Sequence, residues 1–337
     1  VNPSVGCVIV KNNSVVSAGT TSFNGRPHAE SNAILSLNKN IKNLDLYVTL
    51  EPCSHYGKSP PCIKLISKKK INKVFIAIKD PDTRSYNKAA KKLITKGIRV
   101  KYGLFQNKIK NFYKSYIIYK KEFLPFVTCK LAISKDFYIV NRKERWITNH
   151  QSRARGHILR SFHDCIFTSS KTINTDNPIL NCRIDGLKKT SPVRIILDRD
   201  LKINMNSKII ADAYLYKTII FYNKYKKKKI NKLNKMKVKT YKISNGHDGR
   251  INLEEALIKT KKLGFSRIFL EAGINLVRSF FNKNLINEFK IFVSKNSLGK
   301  KGSINVKKDL HNFLKNKKKI KEVVNLNGDS LLSYNIK

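Results

Sequence analysis

The chain has 337 residues, of which 41% are hydrophobic and 9% aromatic, so it can bury a core and is not a disordered tail. Its formal net charge of +47 comes from lysines spread along the whole chain, whereas dedicated nucleic-acid readers favour arginine or interleave aromatics with basic residues, so we expect no specific nucleic-acid partner. No apolar run reaches the roughly 18–20 residues of a membrane span and the N-terminus has no signal-peptide pattern, which predicts a soluble, cytoplasmic protein without membrane contact.

In the first 120 residues, strand-like and helix-like segments alternate. Two short β-rich runs flank the polar segment 11–14, which predicts a hairpin. The predicted strands are 6–10, 15–18, 46–50, 73–78 and 98–102, and the predicted helices are 28–38, 60–67, 87–96 and 108–119. This alternation predicts a three-layer α/β domain.

A charged triplet and a proline at 120–125 separate a second region, and at about 100–200 residues per domain the length also predicts two domains. We place the boundary between residues 121 and 122. The predicted strands that follow are 126–133, 165–168, 193–197, 218–222, 238–243, 267–270 and 288–293, with helices at 152–161, 253–263 and 275–282. A C-terminal hairpin of 323–326 and 331–336 would turn at Asn327-Gly328, and the lysine-rich segment 224–237 predicts an exposed loop or a frayed helix.

Four residues of the first region form a candidate metal centre. A catalytic zinc takes three protein ligands and leaves its fourth position to water, and His28, Cys53 and Cys62 are the natural set for one zinc per chain. Cys62 lies in the first turn of the predicted helix 60–67, and the partial positive charge at a helix N-terminus stabilises a thiolate. Glu30 lies in the first turn of the helix that His28 opens. It can reach a metal off that helix end and move a proton from water to a leaving amine, as a catalytic acid and base.

Segments 27–30 and 51–53 resemble the H-x-E…P-C-x-x-C signature of the zinc-dependent cytidine-deaminase superfamily. Eight residues instead of two separate the cysteines here, a form similar to the bifunctional pyrimidine deaminase/reductases of riboflavin biosynthesis. Segment 2–6 resembles the opening substrate-binding segment of that family, and His55 and Lys58 are either substrate contacts or solvated side chains. The family has a helix before segment 2–6, so the resemblance implies that this first helix is missing here.

Residues 126–337 contain no Gly-x-Gly-x-x-Gly after a strand, which excludes a Rossmann dinucleotide site. Two weaker signals remain. Segment 270–275 ends a strand at a glycine and begins a helix, which could place helix N–H groups against a phosphate, and 172–178 is a polar loop. Alone, each is typical of an ordinary cap or turn.

Four segments of this half, 130–136, 145–148, 172–183 and 271–273, resemble the landmarks of that family's reductase domain, which has a dihydrofolate-reductase-like fold and uses NADPH. The resemblance implies NADPH contacts at Ile133, Trp146, Thr172, Asp176, Gly273, Ile274, Asn275, Leu276, Val277, Arg278 and Ser279. It implies substrate contacts at Glu144, Arg160, Leu180, Arg183 and Glu271. Arg160 and Arg183 suit a phosphate because a guanidinium pairs with it bidentately. Phe137 and Glu144 stand where the family usually has Gly and Ser, and we expect the aromatic ring to narrow the cofactor loop.

The sequence and this resemblance together predict a bifunctional α/β enzyme of two domains. Residues 1–121 would form a cytidine-deaminase-like three-layer α/β/α domain that uses zinc to deaminate 2,5-diamino-6-ribosylamino-4(3H)-pyrimidinone 5′-phosphate hydrolytically. Residues 122–337 would form the dihydrofolate-reductase-like domain, which reduces the ribosyl group to ribityl with NADPH. The partner is thus a small phosphorylated pyrimidine, and family members are commonly oligomeric. Two alternatives stay open: a nucleic-acid (tRNA) deaminase, and a deaminase whose second domain is catalytically inert.

Overall fold

The computed structural model describes residues 3–37, 41–57, 59–69, 71–320 and 322–337. The chain divides into two compact units, Val1–Phe123 and Leu124–Lys337. In these described ranges, no helix is both long enough and apolar enough to cross a membrane.

The first unit is built on a five-stranded sheet. Its strands are β1 (Gly6–Lys11), β2 (Ser14–Thr20), β3 (Asp45–Leu50), β4 (Lys73–Ile78) and β5 (Arg99–Tyr102), in the spatial order β2-β1-β3-β4-β5. β1 and β2 form the predicted hairpin, and its turn residues Asn12 and Asn13 have φ of 46° and 59°, a conformation that asparagine tolerates. β3, β4 and β5 are parallel, so their carboxyl ends lie at one edge of the sheet.

Helices lie on both faces of this sheet: α1 (Ala29–Leu35), α2 (Cys62–Lys68), α3 (Ala89–Ile94), α4 (Gln106–Phe112) and α5 (Lys114–Lys121). The first three bury their apolar side chains in one core with Val48 of β3. Tyr113, between α4 and α5, contacts Thr49, which points to the opposite face because strand side chains alternate. The predicted three-layer arrangement is confirmed. β2 approaches α1 so closely that a Cβ at Gly19 would lie 2.4 Å from the carbonyl oxygen of Ala29, so only glycine fits there.

The prediction of one helix over 108–119 is wrong, because α4 and α5 meet at Tyr113. This residue has φ −88° and ψ 7°, outside the helical range, and its side chain is buried. Its hydroxyl lies 2.7 Å from Oγ1 of Thr49 and donates to the carbonyl oxygen of Ser4 over 2.8 Å. These contacts join segments far apart in the chain, so helical periodicity alone did not reveal the break.

The second unit contains a nine-stranded sheet and a small two-stranded sheet. Its strands are β6 (Phe126–Ile133), β7 (Tyr138–Asn141), β8 (Cys165–Ser169), β9 (Val193–Leu197), β10 (Thr218–Tyr222), β11 (Lys239–Lys242), β12 (Arg267–Glu271), β13 (Glu288–Val293), β14 (Gly302–Asn305), β15 (Lys318–Ile320) and β16 (Ser330–Asn335). The large sheet has the order β11-β10-β9-β8-β12-β6-β13-β16-β15 and is parallel from β11 to β13. β7 and β14 pair with each other.

The helices of this unit are α6 (His150–Ser161), α7 (Ser170–Asp176), α8 (Lys208–Ala211), α9 (Lys227–Lys235), α10 (Leu253–Lys262), α11 (Ile274–Asn282) and α12 (Lys307–Leu314). α10, α11 and α12 pack on one face of the sheet, and α6, α7, α8 and α9 pack on the other. Because both faces are covered, the central parallel strands are nearly continuous runs of apolar residues, which is why the sequence revealed them.

The predicted C-terminal hairpin is wrong. The turn at Asn327-Gly328 is present, with φ of 51° and 92°, and an isolated bridge joins Leu326 to Asp329 across it. However, β16 pairs with β13 and β15 instead of with 323–326. β-rich runs on either side of a turn indicate strands, but tertiary packing chooses their partners.

Two further segments are more helical than the sequence indicates. The predicted polar loop 172–178 lies largely in α7, because the hydroxyl of Ser169 caps that helix by accepting the N–H of Thr172 at 3.2 Å. The lysine-rich segment 224–237 contains α9, which buries Ile230 and Leu233 against the sheet.

Candidate active sites

The first unit brings His28, Cys53 and Cys62 together. His28 immediately precedes α1, Cys53 follows the carboxyl end of β3, and Cys62 is the first residue of α2. Their ligand atoms all lie within 4.8 Å of one another. Three element ends thus converge at one edge of the sheet.

The spacing of these donor atoms fits zinc. Nδ1 of His28 lies 3.3 Å from Sγ of Cys62 and 3.5 Å from Sγ of Cys53. Around a tetrahedral zinc with bonds of about 2.05 Å to nitrogen and 2.3 Å to sulfur, the N···S separation is about 3.6 Å. One nitrogen and two sulfur donors also form a set that catalytic zinc uses when it keeps one position for water. These three residues could therefore hold the metal.

The local structure favours the thiolate form of Cys53, which zinc requires. The hydrogen bond from the Cys62 thiol lowers the pKa of Cys53 to about 4, although burial opposes it. The backbone N–H of Cys62, at the N-terminus of α2, also donates to Sγ of Cys53 over 3.2 Å.

Glu30 stands in the first turn of α1 and is only 3% exposed. It lines a cavity of about 190 Å³ together with His28 and Cys53. Burial raises the pKa of its carboxyl to about 7. A buried carboxyl beside the metal-binding residues is in position to accept and return a proton.

Glu51 also lines this cavity. Its carboxylate stabilises the fold around the site, a role that the sequence did not indicate. Glu51 directly follows β3 and is 3% exposed. Its carboxylate accepts the backbone N–H groups of Asp80 at 3.2 Å, Asn87 at 3.0 Å and Ala89 at 3.1 Å. Glu51 therefore ties the end of β3 to the loop after β4 and to the start of α3.

Two aspartates after β4 were also missed. Asp80 accepts a hydrogen bond from the hydroxyl of Tyr116 at 3.0 Å, and Asp82 forms ion pairs with Arg84 and Lys120 at 2.7 Å each. The available signal was their position after a buried strand parallel to β3, because ligands bind where the carboxyl ends of such strands meet.

Of the substrate contacts predicted for this unit, His55 lines the cavity, with its Nδ1 3.1 Å from Oγ of Ser85. Lys58 and residue 2 of the predicted opening segment lie outside the described residues. The role of His55 stays a prediction.

The second unit has a larger cavity, of about 560 Å³, between α6 and the ends of β6 and β12. Arg160, Arg183 and Glu271, three of the predicted substrate contacts, line it, as does Trp146. Lys130 and His157 also line it, although the sequence analysis gave them no role. The structure thus gathers cations, a carboxylate and an aromatic ring around one space.

Glu271 and Arg160 form a bidentate pair, with both N···O distances 2.9 Å, and Nζ of Lys130 lies 3.6 Å from the same carboxylate. Burial alone would raise the pKa of Glu271, but Arg160 and then Lys130 hold it at about 2. The charge of Arg160 is therefore compensated inside the protein. Arg183 instead donates to the amide oxygen of Asn181 at 3.0 Å, which leaves its charge available to an anion.

The order of strands reverses between β8 and β12, and Glu271, the last residue of β12, lines this cavity. From β8 the chain continues through α7 to β9, whereas β12, on the other side of β8, continues through α11 towards β13. α7 and α11 lie on opposite faces of the sheet, and the backbone N–H of Gly273 donates to Oγ1 of Thr172 over 3.4 Å. Such switch points bind nucleotides in open α/β sheets. Gly273 caps α11 without a side-chain hydrogen bond and faces open space, so the N-terminus of α11 could hold a dinucleotide diphosphate.

The predicted NADPH contacts fall into three groups. The side chains of Ile133, Ile274 and Val277 are buried in the core, so only their backbone can meet a cofactor. Trp146 is half exposed in the cavity, with Arg145 and Arg153 each 5.0 Å from its ring. The others lie on α7 or on the α11 segment: Thr172, Asp176, Gly273, Asn275, Leu276, Arg278 and Ser279.

Phe137 and Glu144, the two departures from the family pattern, lie in different surroundings. Phe137 has φ of +71°, which costs a residue other than glycine about 1–2 kcal/mol. Its ring packs against the core and beneath Lys307 and does not line the cavity, and the expected narrowing of the cofactor loop stays a prediction. Glu144 is exposed and does not line the cavity, and Leu180 is buried in the core, so their substrate contacts stay predictions.

Comparison with known proteins matches both units. Residues 1–78 match the cytidine and deoxycytidylate deaminase zinc-binding region, and residues 125–329 match the RibD C-terminal domain. The riboflavin biosynthesis protein RibD of Bacillus amyloliquefaciens is 33% identical over 86% of this chain and 78% of its own length. That of Actinobacillus pleuropneumoniae is 31% identical over 89% and 80%.

A solved structure agrees with these matches. The diaminohydroxyphosphoribosylaminopyrimidine deaminase/5-amino-6-(5-phosphoribosylamino)uracil reductase of Thermotoga maritima is 26% identical and superposes with a TM-score of 0.84, over 99% of this chain and 92% of that one. The predicted α/β architecture, with a cytidine-deaminase-like and a reductase domain, is confirmed, and both matches favour the bifunctional enzyme over the two alternatives. The chain, which carries a candidate zinc site in one unit and a candidate cofactor site in the other, belongs to the RibD family of bifunctional deaminase/reductases of riboflavin biosynthesis.

Proposed function

We propose that residues 1–121 deaminate 2,5-diamino-6-ribosylamino-4(3H)-pyrimidinone 5′-phosphate and that residues 122–337 then reduce its ribosyl group to ribityl. The observation that carries this proposal is the pairing of a zinc-ligand cluster beside a buried glutamate with a separate cavity at a nucleotide-binding switch point. The substrate is a small phosphorylated pyrimidine, and we propose that the enzyme acts in the cytoplasm as an oligomer, without a specific nucleic-acid partner.

In the deaminase half, His28, Cys53 and Cys62 hold the metal. When bound, zinc supplies the Lewis acidity that makes water a nucleophile near neutral pH. Glu30 accepts a proton from the attacking water and delivers it to the amino group on C2, which leaves as ammonia. Because Glu30 is buried, bulk water does not compete for this proton.

In the reductase half, the N-terminus of α11 and Thr172 bind the diphosphate of the cofactor. NADPH, when bound, supplies the hydride that C1′ of the ribosyl group accepts. Arg183 pairs with the substrate phosphate, because its charge has no internal partner of opposite sign among the ion pairs of the described residues. Glu271, oriented by Arg160, accepts hydrogen bonds from the sugar hydroxyls.

The test is mass spectrometry of the diaminopyrimidinone nucleotide after incubation with zinc-loaded protein, with and without NADPH. We expect the deaminated product alone without cofactor, and the deaminated, reduced ribityl product with it. Deamination in both tubes without reduction would refute the reductase half, and no reaction in either tube would refute the proposed substrate.

Two variants separate metal binding from proton transfer. Cys62→Ser should lose zinc, measured as metal per chain, because it removes one of three ligands. Glu30→Gln should keep a full zinc complement yet lose deamination by about 10²–10⁴-fold, because it removes the proton carrier and no ligand. Full zinc in Cys62→Ser, or normal turnover in Glu30→Gln, would contradict these roles.

A further inference from the structure

Among the described residues, one arginine that lines the cavity of the deaminase half forms no ion pair. Arginine and lysine side chains line it at three described positions: Arg26, Arg84 and Lys120. Arg84 and Lys120 both pair with Asp82 at 2.7 Å, so each of them is held by a carboxylate of the protein. Arg26 takes part in none of the ion pairs between described residues.

The contacts of Arg26 place its guanidinium against the segment between the two cysteine ligands. Nη1 of Arg26 donates to Oγ of Ser59. The backbone of this segment passes so close that a Cβ at Gly57 would lie 3.1 Å from Nη2. His55, Gly57 and Ser59 of this segment line the cavity together with Arg26. A guanidinium, a hydroxyl and an imidazole are the donors that bind a phosphate monoester.

The carboxylates that line the cavity favour Arg26 as the place where an anion binds. Glu30, Glu51 and Asp80 also line this cavity, and a carboxylate repels a phosphate. The substrate amine, in contrast, must lie beside Glu30 and the metal ligands. A nucleotide that satisfies both conditions extends from Glu30 towards Arg26.

We propose that Arg26 binds the 5′-phosphate of the substrate in the deaminase half, and that this contact makes the half select the nucleotide over the corresponding nucleoside. The assignment rests on the proposed function, since it requires deamination of a phosphorylated pyrimidine. It adds a specificity-determining residue two positions before His28, outside the segments that the sequence motifs identified.

The experiment compares deamination of the diaminopyrimidinone nucleotide and of its dephosphorylated nucleoside. Ammonia release is measured without NADPH, because the second unit also has a cavity for the nucleotide and would confuse a direct binding measurement. The proteins are the full chain, Arg26→Gln, Arg26→Lys and the control Arg99→Gln, which removes the same charge from an exposed position on β5. Zinc content and circular dichroism verify that each variant is folded and loaded.

We expect Arg26→Gln to raise KM for the nucleotide by about 10- to 100-fold, the loss typical of a charge-assisted hydrogen bond, with kcat nearly unchanged. Its kcat/KM for the nucleoside should stay within about 2-fold of the full chain. KM of Arg26→Lys for the nucleotide should lie between those of the unmutated chain and Arg26→Gln, because lysine keeps the charge without the bidentate geometry. This variant also provides a test if Arg26→Gln does not fold.

An equal loss on both substrates in Arg26→Gln, or the same loss of selectivity in Arg99→Gln, would overturn the assignment of Arg26 and leave the proposed function standing. An unmutated enzyme that deaminates neither substrate would overturn the proposed function, and this assignment with it.

Discussion

Glu51 links the fold of the first unit to its metal site, and Glu51→Gln tests that link. Oε2 accepts the N–H groups of Asp80 and Asn87, and Oε1 accepts that of Ala89. A glutamine carbonyl can replace only one of these oxygens. The amide NH₂ then takes the place of the other oxygen, and because it is a donor it cannot accept the hydrogen bond from the backbone N–H there.

The cost follows from these contacts. With the carbonyl in the place of Oε2, the N–H of Ala89 loses its acceptor, which costs about 1–3 kcal/mol in a buried site. The other two hydrogen bonds change from charge-assisted to neutral, at about 0.5–1 kcal/mol each. We expect the free energy of unfolding of the first unit to fall by about 3 kcal/mol. Zinc affinity should fall as well, because Cys53 lies two residues beyond Glu51.

The chain provides its own internal control. Its one tryptophan, Trp146, lies in the second unit, so guanidinium unfolding followed by tryptophan fluorescence reports that unit. Far-UV circular dichroism reports both units. Glu51→Gln should shift the unfolding of the first unit, seen by dichroism alone, to lower guanidinium concentration. The transition of the second unit, seen by tryptophan fluorescence, should not move.

A matched control makes the same change of carboxylate to amide at a weaker site. Asp45→Asn removes a partly exposed partner 3.8 Å from Lys73, and we expect it to cost under about 0.5 kcal/mol. The reasoning would be refuted if Glu51→Gln matched Asp45→Asn in stability and zinc affinity, or if it shifted the tryptophan transition.

Two further predictions concern the second unit. Burial, and then the nearby charge of Arg267, lower the pKa of His163 to about 3. The unfolded state, with a histidine pKa near 6.5, therefore binds more protons in the window between, and this residue's contribution to stability falls by about 2 kcal/mol from pH 7 to pH 5. His163→Phe should remove that part of the pH dependence in the tryptophan transition; an unchanged slope would contradict it. Glu271→Gln should abolish NADPH-dependent reduction and leave deamination unchanged, because it disrupts the pair with Arg160 in one unit only; reduction at the normal rate would exclude the proposed role of Glu271.

Much of the fold follows from local sequence. The parallel strands are continuous apolar runs because both their faces are buried, and the starts of α1, α2 and α11 are recognisable in the sequence. The zinc-ligand set was accessible for the same reason: each ligand stands at the end of a predicted element, and thiolates and an imidazole in that pattern have few other uses.

The rest depends on contacts between residues distant in sequence. Arg160 and Glu271 are 111 positions apart, and the partners of β16 and the break at Tyr113 likewise depend on remote segments. The sequence motifs predict the same phosphate-binding role for Arg160 and Arg183. Only the structure shows that Glu271 compensates the charge of Arg160. In the same way, Lys120 and Arg84 are bound to Asp82 while Arg26 is not. Periodicity along the chain records which side chains are buried, but the partner of a charge depends on three-dimensional proximity, so the tertiary structure alone decided which cations are available to a ligand.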